Sequence, residues 1–302
     1  MDTVLRQTTV TGRSEFDTVF TEVASPVQST GTASDGVRLF HVNVRSSKFD
    51  YRALCDLLTA NIGGYVFSRA QISSFKDHGV ERSIDLRAMR ALSSSADNDS
   101  ALGEMLLYTF LEHALGAPKV LSKFELDNLS GQQRSKADAI HVLPAGGPGG
   151  KTYIVLGAAY IEANLQDSIR TAIGRIRQIR NVEEVECQIV DSTVLDWEFS
   201  AADASTLSSL IIPSKVTQDK EVCYAMFIGY SLGLQSSPDR SHDDFRELVD
   251  HKLSADLLNY SAFIHAEISS AGLGSYPFHI YTLPLNDAVA DRLSIVDRVF
   301  KG

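Results

Sequence analysis

Apolar residues recur along the chain with two periods, and the period tells which element each stretch forms. VRLFHVNV, from Val37, alternates as a half-buried strand does, and Tyr51 to Leu58 switches to helical spacing. The 36 residues before them are polar and rich in Ser and Thr, so regular structure is expected to start at Val37. ALGEMLLYTFLEHAL, Ala101 to Leu115, is the strongest helical pattern, with Leu107, Leu111, Ala114 and Leu115 on one stripe and Gly116 to Pro118 ending it. Ahead of it ALSSSADNDS reads as a linker whose Asp99 or Ser100 is placed to cap the helix. Strands are then expected at Val120 to Leu126, Asp138 to Leu143 and Thr152 to Ala158, followed by a helix from Asn164 to Arg180. The central order is therefore helix, three strands, helix. After a polar insertion come a strand at Cys223 to Leu232, a helical stretch from about Asp243 to Ser269, a strand at Tyr276 to Leu283 and a closing helix after Asp287. No internal repeat is present. The expected fold is mixed α/β, a central mixed sheet flanked by helices, with an N-terminal mixed region at 1–95 and a main domain at 96–302.

Composition narrows this only a little. At 302 residues, 44% hydrophobic and 22% charged, the chain has the makeup of a soluble globular protein. No apolar run reaches the roughly 18 residues of a membrane span, and the N-terminus lacks the basic start and apolar block of a secretory signal. Both point to a cytoplasmic home. Cys55, Cys187 and Cys223 are scattered without CxxC spacing and read as reduced packing residues. A net charge of −10 opposes coating nucleic acid by bulk electrostatics. SIRTAIGRIRQIRNV, Ser168 to Val182, is a local exception: it carries Arg170, Arg175, Arg177 and Arg180 without an acid, either as a solvated basic face or as a phosphate-facing one.

AGGPGGKT, Ala145 to Thr152, matches the loose form of a phosphate-cradling loop, which needs a helix to begin at its Lys-Thr. Thr152 to Leu156 is instead a β-branched and aromatic run that favours strand, so the segment reads as a long hairpin turn. A nucleotide hydrolase would rest on this motif alone. Glu112-His113 has no second histidine at i+4 and is read as packing rather than a zinc site.

Two carboxylates stand out. Glu104 lies one turn before Leu107 on the apolar stripe, and Asp138 opens an apolar strand on the face of Ile140 and Val142. Burying an unpaired charge costs several kcal/mol, so each acid needs a partner. A helix-terminus interaction for Glu104 and a loop-end cap for Asp138 are the structural options; taken together, two acids from a helix and a neighbouring strand are suited to sharing a divalent metal.

GEMLLYTFLEHALGAPKVLSK (Gly103 to Lys123), KADAIHV (Lys136 to Val142) and LGAAYIEANLQDSIRTAI (Leu156 to Ile173) carry a family resemblance. Over about a quarter of the chain, the sequence resembles the HamA subunits of Hachiman anti-phage defence systems, which are similar in their core to the PD-(D/E)xK nucleases. The resemblance implies a Mg²⁺- or Mn²⁺-dependent DNA nuclease effector, a hydrolase working with a HamB-like helicase partner. It aligns Glu104 with the acid of the first core helix and Asp138 with the strand aspartate, both as metal ligands. In the third-strand motif of Gly, Glu, a small residue and Lys, Gly157 matches, but Ala158 stands for the Glu and Tyr160 for the Lys. Loss of that acid and cation costs several kcal/mol of transition-state stabilisation, on the order of 10³-fold in rate, so the resemblance implies an inactive centre as the sequence stands. An engineered truncation, natural loss of the catalytic pair, and rescue by Glu162 on the same strand parity each account for the departure. Lys123 and Lys136 flank the metal face as candidate DNA-phosphate contacts. The alternative is a non-catalytic interaction or DNA-binding module that docks and regulates a helicase.

Overall fold

The computed structural model describes residues 7–23, 36–93, 98–128, 135–143, 152–196, 221–234 and 241–301. In chain order the elements are α1 (Arg13–Val19), β1 (Phe20–Glu22), β2 (Gly36–Val42), the short pair β3 (Val44–Arg45) and β4 (Lys48–Phe49), α2 (Tyr51–Val66), α3 (Arg69–Asp77), α4 (Ile84–Ser93) and α5 (Asn98–Phe110). A π-turn at Leu111–Leu115 continues α5. Then come α6 (Lys123–Asn128), β5 (Ala139–Leu143), β6 (Tyr153–Ile161), α7 (Leu165–Asn181), α8 (Glu183–Asp196), β7 (Glu221–Ser231), α9 (His242–Ser270), β8 (Phe278–Leu285) and α10 (Ala288–Val296).

Among the described residues six strands form one sheet in the order β1-β2-β8-β7-β6-β5. The four inner strands run parallel to one another, while β1 and β5 close the edges antiparallel. Central β7 reads CYAMFIGY because helices cover both faces of a mostly parallel strand, and the burial of its middle residues agrees. On one face α5 packs on β6 and β7, with the Phe110 ring 5.5 Å from that of Phe227 and 5.0 Å from that of Phe40. Gly157 allows this approach: a Cβ there would lie 2.7 Å from a Leu107 methyl. On the other face lie α7 and α9, joined by Arg170 to Glu267 at 3.3 Å, with the Tyr230 hydroxyl donating to Asp256 of α9 at 3.2 Å. The result is a mixed α/β fold with the layout of a nuclease-like core.

Several elements depart from expectation. Regular structure begins well before Val37: α1 and β1 form from Arg13 onward, anchored by buried Phe16, Val19 and Phe20. The strand expected at Val120 to Leu126 is a single bridge, Lys119 to His141, and then helix α6. Its cause is a reciprocal cap: the Ser122 hydroxyl accepts from the Glu125 amide at 3.3 Å, and the Glu125 carboxylate accepts from the Ser122 amide at 2.7 Å. Helix therefore wins over the β-branched start of the segment, and two strands rather than three follow α5. Asp99 and Ser100 lie inside α5 instead of capping it. Part of the polar insertion is α8. Gly116, at φ 73°, ends the helical run as expected. Residues 144–151, most of the glycine-rich motif, lie outside the described residues; strand β6 directly after them leaves no helix for a phosphate loop to open.

Candidate functional site

At the C-terminal end of β6, where β5 begins beside it, a cavity of about 570 Å³ opens between the two helix layers. That volume is within the usual range of ligand clefts, about 300 to 1,000 Å³. Glu104, Asp138, Lys123, Arg175, Tyr160 and Arg292 line it, from five helices and strands and the residue opening β5.

α5 delivers Glu104 on its sheet-facing stripe, where it is only 4% exposed. One of its oxygens accepts from the Ser100 hydroxyl at 2.6 Å, the other from the Tyr65 hydroxyl at 3.2 Å and the Lys123 ammonium at 2.7 Å. Burial pulls Lys123 down, but the charges of Glu104 and Asp127 outweigh it and hold the ammonium above its ordinary value. Asp138 takes the Ala159 amide on one oxygen at 3.0 Å and Arg175 on the other at 3.3 Å. Burial and the neighbouring Glu104 charge push its carboxyl from 3.8 up to about 6, against the pull of Arg175 and the Ala159 amide. Tyr160 is half-buried, and burial and the Asp138 charge raise its hydroxyl, so it stays neutral. Strand alternation puts Ala158 on the face of Tyr160, fully buried. Glu162 lies exposed at the rim, one residue past β6, with its amide tied to the Gly229 carbonyl and the Ser168 hydroxyl.

The structure thus brings Glu104, Asp138, Lys123 and Tyr160 to one cavity. Lys136 is exposed and is not part of the lining; its backbone amide donates to Glu186 of α8. Arg175, expected on a solvated or phosphate-facing basic face, instead turns inward to pair with Asp138. Its signal was present, since it falls three residues after buried Ala172 and four before buried Ile179, on the inward stripe of α7. Tyr65 carried no such signal, because nothing in the sequence links residue 65 to residue 104. Three of the four arginines of α7 are matched within the protein: Arg170 with Glu267, Arg175 with Asp138, Arg180 with Glu183.

The donor set for a divalent ion is incomplete as placed. Each oxygen of Glu104 and of Asp138 already accepts a protein hydrogen bond, and position 158 offers only a methyl. Among the described residues no three of His, Cys, Asp and Glu gather into a group able to hold a metal.

A HamA family model matches residues 16–299. The chain belongs to the HamA family. This ties it to Hachiman anti-phage defence. The HamA match runs from within α1 to the last helical turn, so it takes in the N-terminal strands as well as the cavity. A comparison with curated proteins returns no match. No helix among the described residues is long and apolar enough to cross a membrane.

Proposed function

We propose that this HamA-family chain is the DNA-directed subunit of an anti-phage complex, acts with a helicase partner in the cytoplasm, and does not itself cut DNA as its sequence stands. One observation carries the reading: Glu104 and Asp138, from α5 and the start of β5, line one cavity together with Tyr160 of β6, and Tyr160 and the fully buried Ala158 two residues before it on the same strand face stand at the two positions that the chemistry of a nuclease needs most. Position 158 can hold neither a metal nor a water's proton. The neutral Tyr160 hydroxyl gives no positive charge to steady a phosphate. Glu162 is a further acid on the rim, but it lies beyond the strand that would fix its direction.

The ion pairs that Glu104 and Asp138 make in the cavity favour the second reading, a module that docks and regulates a helicase without chemistry. Both readings share the partner and differ in whether the cavity meets DNA. The test combines purified chain, the helicase of its own locus, and duplex and single-stranded DNA, with co-elution, gel shift and Mg²⁺-dependent cutting measured together. Assembly with the helicase, a DNA shift in the assembly and no cutting are expected. Association with neither helicase nor DNA would defeat the reading.

A further inference from the structure

Two buried acids facing one cavity need positive charge close by, because the desolvation cost of each is several kcal/mol. In a metal-dependent centre a divalent ion supplies that charge. Here two protein cations are already in place. Lys123 lies 2.7 Å from Glu104, and Arg175 lies 3.3 Å from Asp138; the four side chains are all more than two-thirds covered. The position of Lys123 is itself informative. It is the first residue of α6, where the positive end of the helix disfavours an ammonium, and the start of that helix is fixed by the Ser122–Glu125 cap rather than by any need of the lysine. Its attraction to Glu104 and Asp127 offsets that disfavour. Arg175 reaches across from the opposite helix layer, while its Nε is buried without a partner, so its hold on Asp138 is the looser of the two.

We infer that Lys123 and Arg175 supply the charge a divalent cation would otherwise bring, and that the cavity therefore takes neither Mg²⁺ nor Mn²⁺. This rests on reading the cavity as a nuclease-like centre. With every oxygen of both acids occupied by a donor, an entering ion would have to displace an ammonium and a guanidinium and would find no third carboxylate at position 158 to complete its ligands.

The test is Mn²⁺ binding, read by the electron paramagnetic resonance signal of the free ion, on the parent chain and on Lys123→Met/Arg175→Met. The parent is expected to leave millimolar Mn²⁺ free and to melt at the same temperature with and without it. The variant, with two acids stripped of their cations, is expected to bind Mn²⁺ at least about tenfold more tightly and to gain melting temperature on its addition. Should the double variant not fold, Lys123→Ala is compared with the parent in the same way. One Mn²⁺ held per parent chain, or a folded variant with no gain, overturns the inference. Mn²⁺ on the parent leaves the DNA-directed reading standing, whereas failure to meet helicase or DNA removes that reading and leaves the metal result untouched.

Discussion

Glu104 and Glu112 are two acids on one continuous helical run, about two turns apart and both buried, yet their surroundings differ in kind. Glu112 is closed in. Its carboxylate accepts from the Thr8 amide at 2.6 Å, the Thr8 hydroxyl at 2.9 Å, the Thr9 amide at 2.8 Å and the Lys119 amide at 3.0 Å, and so pins the N-terminal segment and the loop after Gly116 to the helix. The Lys119 ammonium beside it donates to the Gly64 and Phe67 carbonyls at the end of α2, where a cation suits the helix dipole. Glu104 instead faces an open cavity, and its partners are three side chains, one of them the Lys123 ammonium. Burial of an acid therefore does not mark a site by itself. Backbone donors make a joint, and side-chain partners around a void make a candidate site.

The largest effect that sharpens this contrast is on stability. Glu112→Ala leaves four donors without their acceptor and is expected to cost about 3 to 5 kcal/mol in urea unfolding. Glu104→Ala leaves Lys123 beside Asp127 and a cavity that water can fill, and is expected to cost about 1 to 2 kcal/mol. Equal costs would break the comparison.

Next in size is the response to pH, which has opposite signs in the two regions. His141, near Glu112, is buried with its Nδ1 donating to the Ala117 carbonyl at 2.7 Å, and burial pulls it from 6.5 down to about 4 against the Glu112 charge. The native chain there binds fewer protons than the unfolded chain, so stability present above that window is lost as pH falls through it. Asp138, raised to about 6, binds more protons folded than unfolded, so stability present below its ordinary 3.8 is lost as pH rises through about 6. Thermal melts from pH 4 to 6.5 are expected to show Asp138→Asn gaining on the parent as pH rises and His141→Gln gaining on it as pH falls. Slopes of the same sign would contradict the assignment.

A smaller effect is the coupling within the cavity. A double-mutant cycle on Glu104 and Lys123 is expected to give about 1 to 3 kcal/mol, more than the cycle on Asp138 and Arg175, whose contact is longer and whose cation is 28% exposed. Smallest of all, Lys136→Ala is expected to change stability by less than about 0.5 kcal/mol, since its side chain is exposed and the Glu186 bond is to its backbone.

The long apolar patterns made the sheet and its flanking helices legible: the spacing of Ile169, Ile173 and Ile176 and the unbroken run of β7 each named their element correctly. Local signals were legible but outweighed. Ser122-Lys-Phe-Glu125 is a capping box, yet the β-branched and apolar Val120 and Leu121 before it suggested a strand. The N-terminal segment hid its structure because its order comes from distant partners: Asn61 accepts from the Val10 amide at 2.8 Å, and Glu112 grips Thr8, contacts that no local pattern announces. The same limit applied at the cavity. Periodicity aimed Glu104 inward, but that Lys123 meets Glu104, while Lys136 turns out to solvent, depends on how α6 is laid against α5.

The most direct test of the account is to place Glu at 158 and Lys at 160 together and to measure Mg²⁺- or Mn²⁺-dependent cutting of DNA by the parent and by Ala158→Glu/Tyr160→Lys, each checked for folding by circular dichroism. The variant adds a third carboxylate as a metal ligand at 158 and a cation at 160 to steady the phosphate, and the account predicts cutting by the double variant alone. A folded double variant that neither binds Mn²⁺ nor cuts, or a parent that already cuts, would contradict it.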